Sequence, residues 1–190
     1  MKSLNQIREY PTGRALYADS IIEYHASRLI LLLKYCGTKE RSNGTFRIDG
    51  LTKLAKLDFF IRYPQFFKTV SKKLEKDVEV ERKDIDSKMI RFHYGPWDHR
   101  YYQVLPYLEA RGLIEIESIS NTYKIRLTQK GVSVSESFDE VTSFENLIKD
   151  MRTVKKVLGQ FSGTKLKDLV YDTFGDEVAI KKLKDEIGYE

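Results

Sequence analysis

From Leu113 to Leu127 the chain alternates apolar and polar residues on both sides of a short turn, and this pattern constrains the fold more than any other stretch. Leu113-Ile114-Glu115-Ile116-Glu117 leads into Ser118 to Asn121, and Thr122-Tyr123-Lys124-Ile125-Arg126-Leu127 follows. Successive side chains of a strand point to opposite faces, so alternation across a Ser/Asn turn predicts an antiparallel hairpin with one buried face. Before it, Asp98 is placed to cap a helix bearing Tyr101, Tyr102, Val104, Leu105 and Leu108 and ending at Arg111-Gly112. Pro106 falls inside that helix and removes one backbone hydrogen bond, which predicts a kink or a restart. After the hairpin, Thr128-Gln129-Lys130-Gly131 opens another helix.

Helix, Gly-Leu-Ile strand, tight hairpin and return strand, in this order, form the signature of a winged helix. The N-terminal part fits. Ser20 and Glu23 stand at capping-box spacing before a helix through Leu29–Leu33 to Cys36, apolar nearly all round and therefore central, with Gly37 expected as a left-handed cap. Phe46-Arg47-Ile48 reads as a short strand. Asp49 is positioned to cap a second helix carrying Leu51, Leu54, Leu57, Phe60 and Ile61, which must end near Tyr63 because Pro64 disfavours helical geometry before it. Pro64 itself opens a third helix through Phe66, Phe67, Val70 and Leu74. Residues 72–86 are charged with mixed signs and read as a solvated helix end and loop.

Beyond residue 138 the pattern is helical: about 141–158, 164–174 and a weaker segment at 176–187. Leu147, Met151, Val154 and Leu158 recur at helical spacing, as do Leu166, Leu169, Val170 and Phe174. They either fold back on the core or dock a partner. The expected class is α+β, mostly α: a winged helix-turn-helix core with its N-terminal helix over 1–138, a two-stranded wing, and a C-terminal helical extension over 139–190.

Charge divides the same way. Residues 1–138 hold 24 Lys and Arg against 17 Asp and Glu, a net of +7, whereas 139–190 hold 9 against 11. A modest basic excess permits contact with nucleic acid or an acidic partner without demanding it. The single cysteine, Cys36, allows no intrachain disulfide, and the first residues lack a signal-peptide apolar region; a cytoplasmic protein with no membrane contact is expected.

No catalytic constellation is apparent. Neither a nucleophile elbow nor a phosphate-binding glycine loop occurs, and one cysteine with His25, His93 and His99 is too few for a closed zinc site. No cofactor or metal is therefore expected, and an enzyme is not. A small nuclease using Asp58, His93 or Asp98 is the weaker rival. Asp58, among Leu57, Phe59 and Phe60, must be paired, and Arg62 lies one helical turn on.

A winged helix that reads DNA offers Arg, Lys, Asn or Gln from the helix before the wing. Here only Arg100 and Gln103 qualify. Phosphate contact through Lys53, Lys56, Lys72, Lys73, Arg82 and Lys83, or through Lys124, Arg126 and Lys130 beyond the wing tip, stays open. A protein-interaction module is the better reading, with a homodimeric transcriptional regulator as the alternative.

Two stretches, Asp49 to Pro64 (DGLTKLAKLDFFIRYP) and Tyr94 to Tyr101 (YGPWDHRY) leading to Leu108-Glu109-Ala110-Arg111-Gly112-Leu113-Ile114, resemble the small middle component of bacterial ABC-three-component systems, which include the Lamassu anti-phage systems. The resemblance spans about residues 20–130, and Pro106 departs from it. It implies an accessory subunit working beside an SMC- or Rad50-like ABC ATPase and an effector, often a nuclease, with contact to double-stranded DNA left open. Gly95-Pro96 makes a rigid turn, and Trp97 is either a core side chain or an interface hot spot. Tyr94, Trp97, Arg100, Tyr101, Asp58 and Arg62 are the candidate partner contacts. Lys53, Lys56 and Arg62 are expected on the outside of the second helix.

Overall fold

The computed structural model describes residues 21–189 apart from 81, 121, 176, 177, 179 and 180. These form an α+β fold, 55% helical, with seven helices and a small antiparallel sheet among the described residues. The order is α1 (Ile22–Cys36), β1 (Thr38–Lys39), β2 (Phe46–Asp49), α2 (Leu51–Arg62), α3 (Pro64–Lys73), β3 (Ile90–Phe92), β4 (Gly95–Trp97) and α4 (Tyr101–Ala110). Then come β5 (Ile114–Ile119), β6 (Thr122–Leu127), α5 (Gln129–Ser137), a 3-10 turn (Phe138–Glu140), α6 (Thr142–Leu158) and α7 (Gly163–Phe174).

The apolar run of α1 puts that helix at the centre. Leu29 to Leu33 are all buried, and the helix touches α2, α4, α5, α6, β2 and β6. Ser20 lies outside the described residues; Ile21 holds the N-cap position, and no side chain caps the helix. Gly37 is extended (φ −69°, ψ 167°), not left-handed. Its missing side chain serves close approach instead, since a Cβ there would stand 2.2 Å from the Leu33 carbonyl oxygen and 3.0 Å from that of Arg47.

The expected hairpin forms, with Ile116 opposite Ile125 and Ser118 opposite Tyr123. It is not alone: β6 also pairs with β2, giving the order β1-β2-β6-β5. Alternation sends Ile48, Ile114, Ile125 and Leu127 inward and leaves Arg47, Asp49, Glu115, Glu117, Lys124 and Arg126 on the other face. Asp49 does not cap α2. Gly50 holds that position at φ +94°, where a side chain would be strained, and Asp49 accepts from Arg47 Nε at 2.8 Å. Helix α4 continues through the exposed Pro106 without a restart.

The C-terminal helices close over the core. Helix α6 lies on α1 and α2, and α7 lies on α2, α3 and β4. Met151, Val154, Leu158, Leu166, Val170 and Phe174 are buried in one apolar cluster with Leu29–Leu33 and Phe59. The helix expected over 176–187 is absent from its described residues 181–187, and the remainder of that segment, Val178 apart, lies outside the description. Residues 184–187 run beside β3 instead: Arg91 N donates to Asp185 O and Ile187 N to Met89 O, each at 2.8 Å. The open edge of β3 offers these backbone partners, and the burial of Ile187 adds to them. No helix among the described residues is long and apolar enough to cross a membrane.

Because α6 and α7 share the central core, Leu158→Ala and Leu166→Ala should each lower the unfolding free energy by about 2–5 kcal/mol, as Leu31→Ala should. Urea denaturation measures this, and losses near zero would mean that these helices contribute little to the fold.

Candidate functional site

Asp58 sits mid-way along α2, fully buried. A charge there must be compensated, and three elements converge to do so. Arg28 of α1 donates from Nε to Oδ1 at 2.8 Å. Arg62, one turn along α2, reaches Oδ2 at 3.2 Å, and the hydroxyl of Tyr101 on α4 donates to the same oxygen at 2.7 Å. Burial alone would raise the Asp58 pKa, but the Arg28 and Arg62 guanidiniums outweigh it and hold the carboxyl below its ordinary value. The expected Asp58–Arg62 ion pair is thus present, within a larger network.

Arg62 is itself fully buried and carries the network onward. Its Nη1 lies 2.7 Å from Asp98 Oδ2, and its Nε and Nη2 donate to the Ser87 carbonyl and hydroxyl at 2.8 and 2.7 Å. Asp98 accepts from the backbone N–H and Nε of Arg100, at 3.0 and 2.8 Å. Burial opposes ionisation of Asp98, yet Arg100 and Arg62 hold its carboxyl well below the carboxylate range. His25 closes the ring, with Nδ1 3.0 Å from Arg28 Nη1 and Nε2 3.1 Å from Arg100 Nη1. Tyr24 donates to Asp86, which ties α1 to the same segment.

The network moves several expected contact residues indoors. Asp58, Arg62 and Tyr101 are interior, so they present no surface to a partner. Trp97, 8% exposed, stacks on Phe92 and meets Tyr101 edge-on at 5.4 Å, which makes it a core side chain. Arg100 is largely enclosed by Asp98, His25 and Ser87. Of the candidate partner contacts only Tyr94, at the β3–β4 turn, is strongly exposed, at 63%.

The expected DNA contacts fare similarly. Lys56 is buried, not on the outside of α2, and its Nζ donates to the Pro96 carbonyl at 2.8 Å; burial drives its pKa down to about 7. Arg82 pairs with Asp150, and Arg126 faces Glu40, Glu115 and Glu117. Lys53, Lys73 and Lys130 donate to the carbonyls of Gly159, Asp172 and Arg111. Lys124 sits in register between Asp49 and Glu117, while Lys72 stays exposed on α3. These cations are dispersed, and those on the outer sheet face are matched by carboxylates. Asn121, expected at the tip of a wing, lies outside the described residues.

Asp58 and Asp98, weighed as nuclease residues, are both engaged by arginines, and His93 and His99 are exposed. Among the described residues no three His, Cys, Asp or Glu side chains gather as a metal site. Sequence reading missed Arg28 and Ser87, and weighed His25 only as a zinc ligand. Arg28 left a signal: an arginine leading an apolar run in a buried helix requires an anion.

Asp58→Ala should strand Arg28 and Arg62 in the interior and cost about 3–5 kcal/mol of stability. Arg126→Ala at the surface should cost under about 1 kcal/mol by the same urea titration. Equal losses would contradict the arrangement. For Lys56, the unfolded chain retains its proton up to the ordinary lysine value near 10.4, whereas the folded chain releases it at about 7. The unfolded state therefore binds more protons between those values, and stability rises with pH across that window. The stability of the wild type relative to Lys56→Met should increase from pH 7 to about pH 9; a constant difference would show that Lys56 keeps its ordinary pKa.

Comparison with family models, curated proteins and solved structures finds no match to this chain.

Proposed function

We propose that this chain is a non-catalytic accessory subunit of a bacterial anti-phage or anti-plasmid defence complex. It bridges or regulates an SMC- or Rad50-like ABC ATPase and its effector nuclease in the cytoplasm. The observation that carries the reading is the junction of the two stretches that resemble such subunits. Asp58 and Arg62 of the first and Asp98, Arg100 and Tyr101 of the second meet in one buried network, and Tyr94 of the second is left facing out. The two stretches therefore act as one structural unit.

A winged-helix core is part of the proposal. It comprises α1, β2, α2, α4, β5 and β6, with β6 between β2 and β5 and the segment from α3 to β4 inserted before α4. The surface chemistry favours protein over DNA as its partner. Helix α4, in the position of a recognition helix, exposes Tyr102, Gln103, Pro106 and Glu109, of which only Gln103 suits base readout. The outer sheet face sets Glu40, Asp49, Glu115 and Glu117 against Arg47, Lys124 and Arg126, so it offers a phosphate backbone no net attraction.

Co-expression with the products of the neighbouring genes, followed by affinity capture on this chain and sizing, tests the reading. Co-elution with a large coiled-coil ATPase is expected. Elution alone as a homodimer that shifts its own upstream DNA would overturn it in favour of a transcriptional regulator.

A further inference from the structure

Six large apolar side chains stand out as exposed among the described residues, and three of them rim one surface. Tyr94 comes from the β3–β4 turn, Tyr102 from α4 and Tyr123 from β6, at 63%, 63% and 50% exposure. Beneath them lie two adjoining cavities that share Leu51 and Tyr123. One, of about 180 Å³, is apolar, with Leu105, Pro106, Ile116 and Ile125 in its wall. The other, of about 540 Å³, has a mixed lining that includes Thr52, Lys53, Thr164 and Lys167.

Charge is distributed unevenly along this cleft. At the end with the larger cavity, and among the described residues, the Lys53 ammonium is hydrogen-bonded only to a neutral carbonyl, that of Gly159. Lys167, about a third exposed, pairs at 2.8 Å with the exposed Asp168, a surface ion pair of small energy. Asp49, the carboxylate in that wall, is held by Arg47 at 2.8 Å. The first turns of α2 and α7 also abut here, since a Cβ on Gly163 would lie 3.0 Å from the Lys53 backbone nitrogen, and their dipoles add partial positive charge. At the far end Glu109 shares the face of α4 that carries Tyr102 and Pro106. A strand of phosphates would gain at one end and be repelled at the other. A peptide can place its charges separately.

We infer that this cleft docks a peptide segment of a partner protein, one that presents an aliphatic or aromatic side chain to the apolar cavity and carboxylates to Lys53 and Lys167. The inference adds a contact surface to the adaptor reading and stands whether or not that partner is an ABC ATPase. Rigid exposed tyrosines around a preformed apolar recess are the composition of interface hot spots.

Selection of a random displayed-peptide library on the full chain tests it, with Tyr102→Ser/Tyr123→Ser as counter-target and fluorescence anisotropy on the enriched peptides. Those peptides should combine an apolar residue with Asp or Glu. They should bind about tenfold more weakly to the double variant and to Lys167→Glu. All three side chains are exposed enough that melting curves should stay cooperative; if the double variant's does not, Tyr94→Ser on its turn gives the same comparison. Several results would overturn the inference: basic peptides, peptides indifferent to these residues, or no enrichment over the counter-target. So would tighter binding of an oligothymidylate through the same tyrosines, or sedimentation of the chain as a dimer abolished by the double variant.

Discussion

The structure is organised by one buried carboxylate. Asp58 lies inside α2 with no access to water, and an ion in that setting persists only with charged and hydrogen-bonding partners at close range. It draws Arg28 from α1, Arg62 from its own helix and Tyr101 from α4, which sets three helices at defined rotations about a common point. Arg62 extends the demand, because one carboxylate cannot satisfy its five donors. Asp98, Ser87 and the Lys88 carbonyl complete it and bring the segment before α4 against the core. Ion pairs of this kind often add little net stability, so the role best ascribed to the network is to specify one arrangement of packed elements over others.

The same network determines what the outside of the protein displays. Asp98 and Trp97 fasten the end of β4, and Lys56 holds the Pro96 carbonyl from below. The β3–β4 turn is thereby held with Tyr94 outward, and Tyr102 stands on a helix that the Tyr101 hydroxyl anchors to Asp58. Exposed aromatic side chains thus stand on elements fixed by buried charge, which lowers the entropy cost of binding through them. On the other side of the sheet, Arg126 among three glutamates removes the positive field that a nucleic-acid surface would need.

Much of this was legible in local pattern. Period-two alternation located the hairpin, Pro64 located the boundary between α2 and α3, and the unbroken apolar run of α1 marked the central helix. Helical spacing found α6 and α7 but left open whether their apolar faces close on this chain or on another. Capping was read less well. Asp49 turns to Arg47 in place of α2, because Arg47 stands two residues back on the same face of β2 and Gly50 already makes the turn. The segment at 181–187 was misread because an unpaired edge of β3 outcompetes a weak helical propensity.

By itself the sequence determined the helices α1 to α7, the strand β2, the β5–β6 hairpin and the need for a partner at Asp58, since each follows from spacing, turn chemistry or the cost of a lone buried charge; β1, β3 and β4 emerged only in the structure. Only the tertiary structure decided which charges and aromatics face water. Lys56 and Arg62 look like the surface cations of an amphipathic helix, and Trp97 like an exposed anchor, until α4, α7 and the β3–β4 turn cover them. A helix that is enclosed on several sides has no solvent face for its sequence pattern to report. Tyr102 and Tyr123 were likewise indistinguishable from core aromatics in the sequence. Exposure depends on contacts between residues far apart in the chain, and no local pattern encodes it.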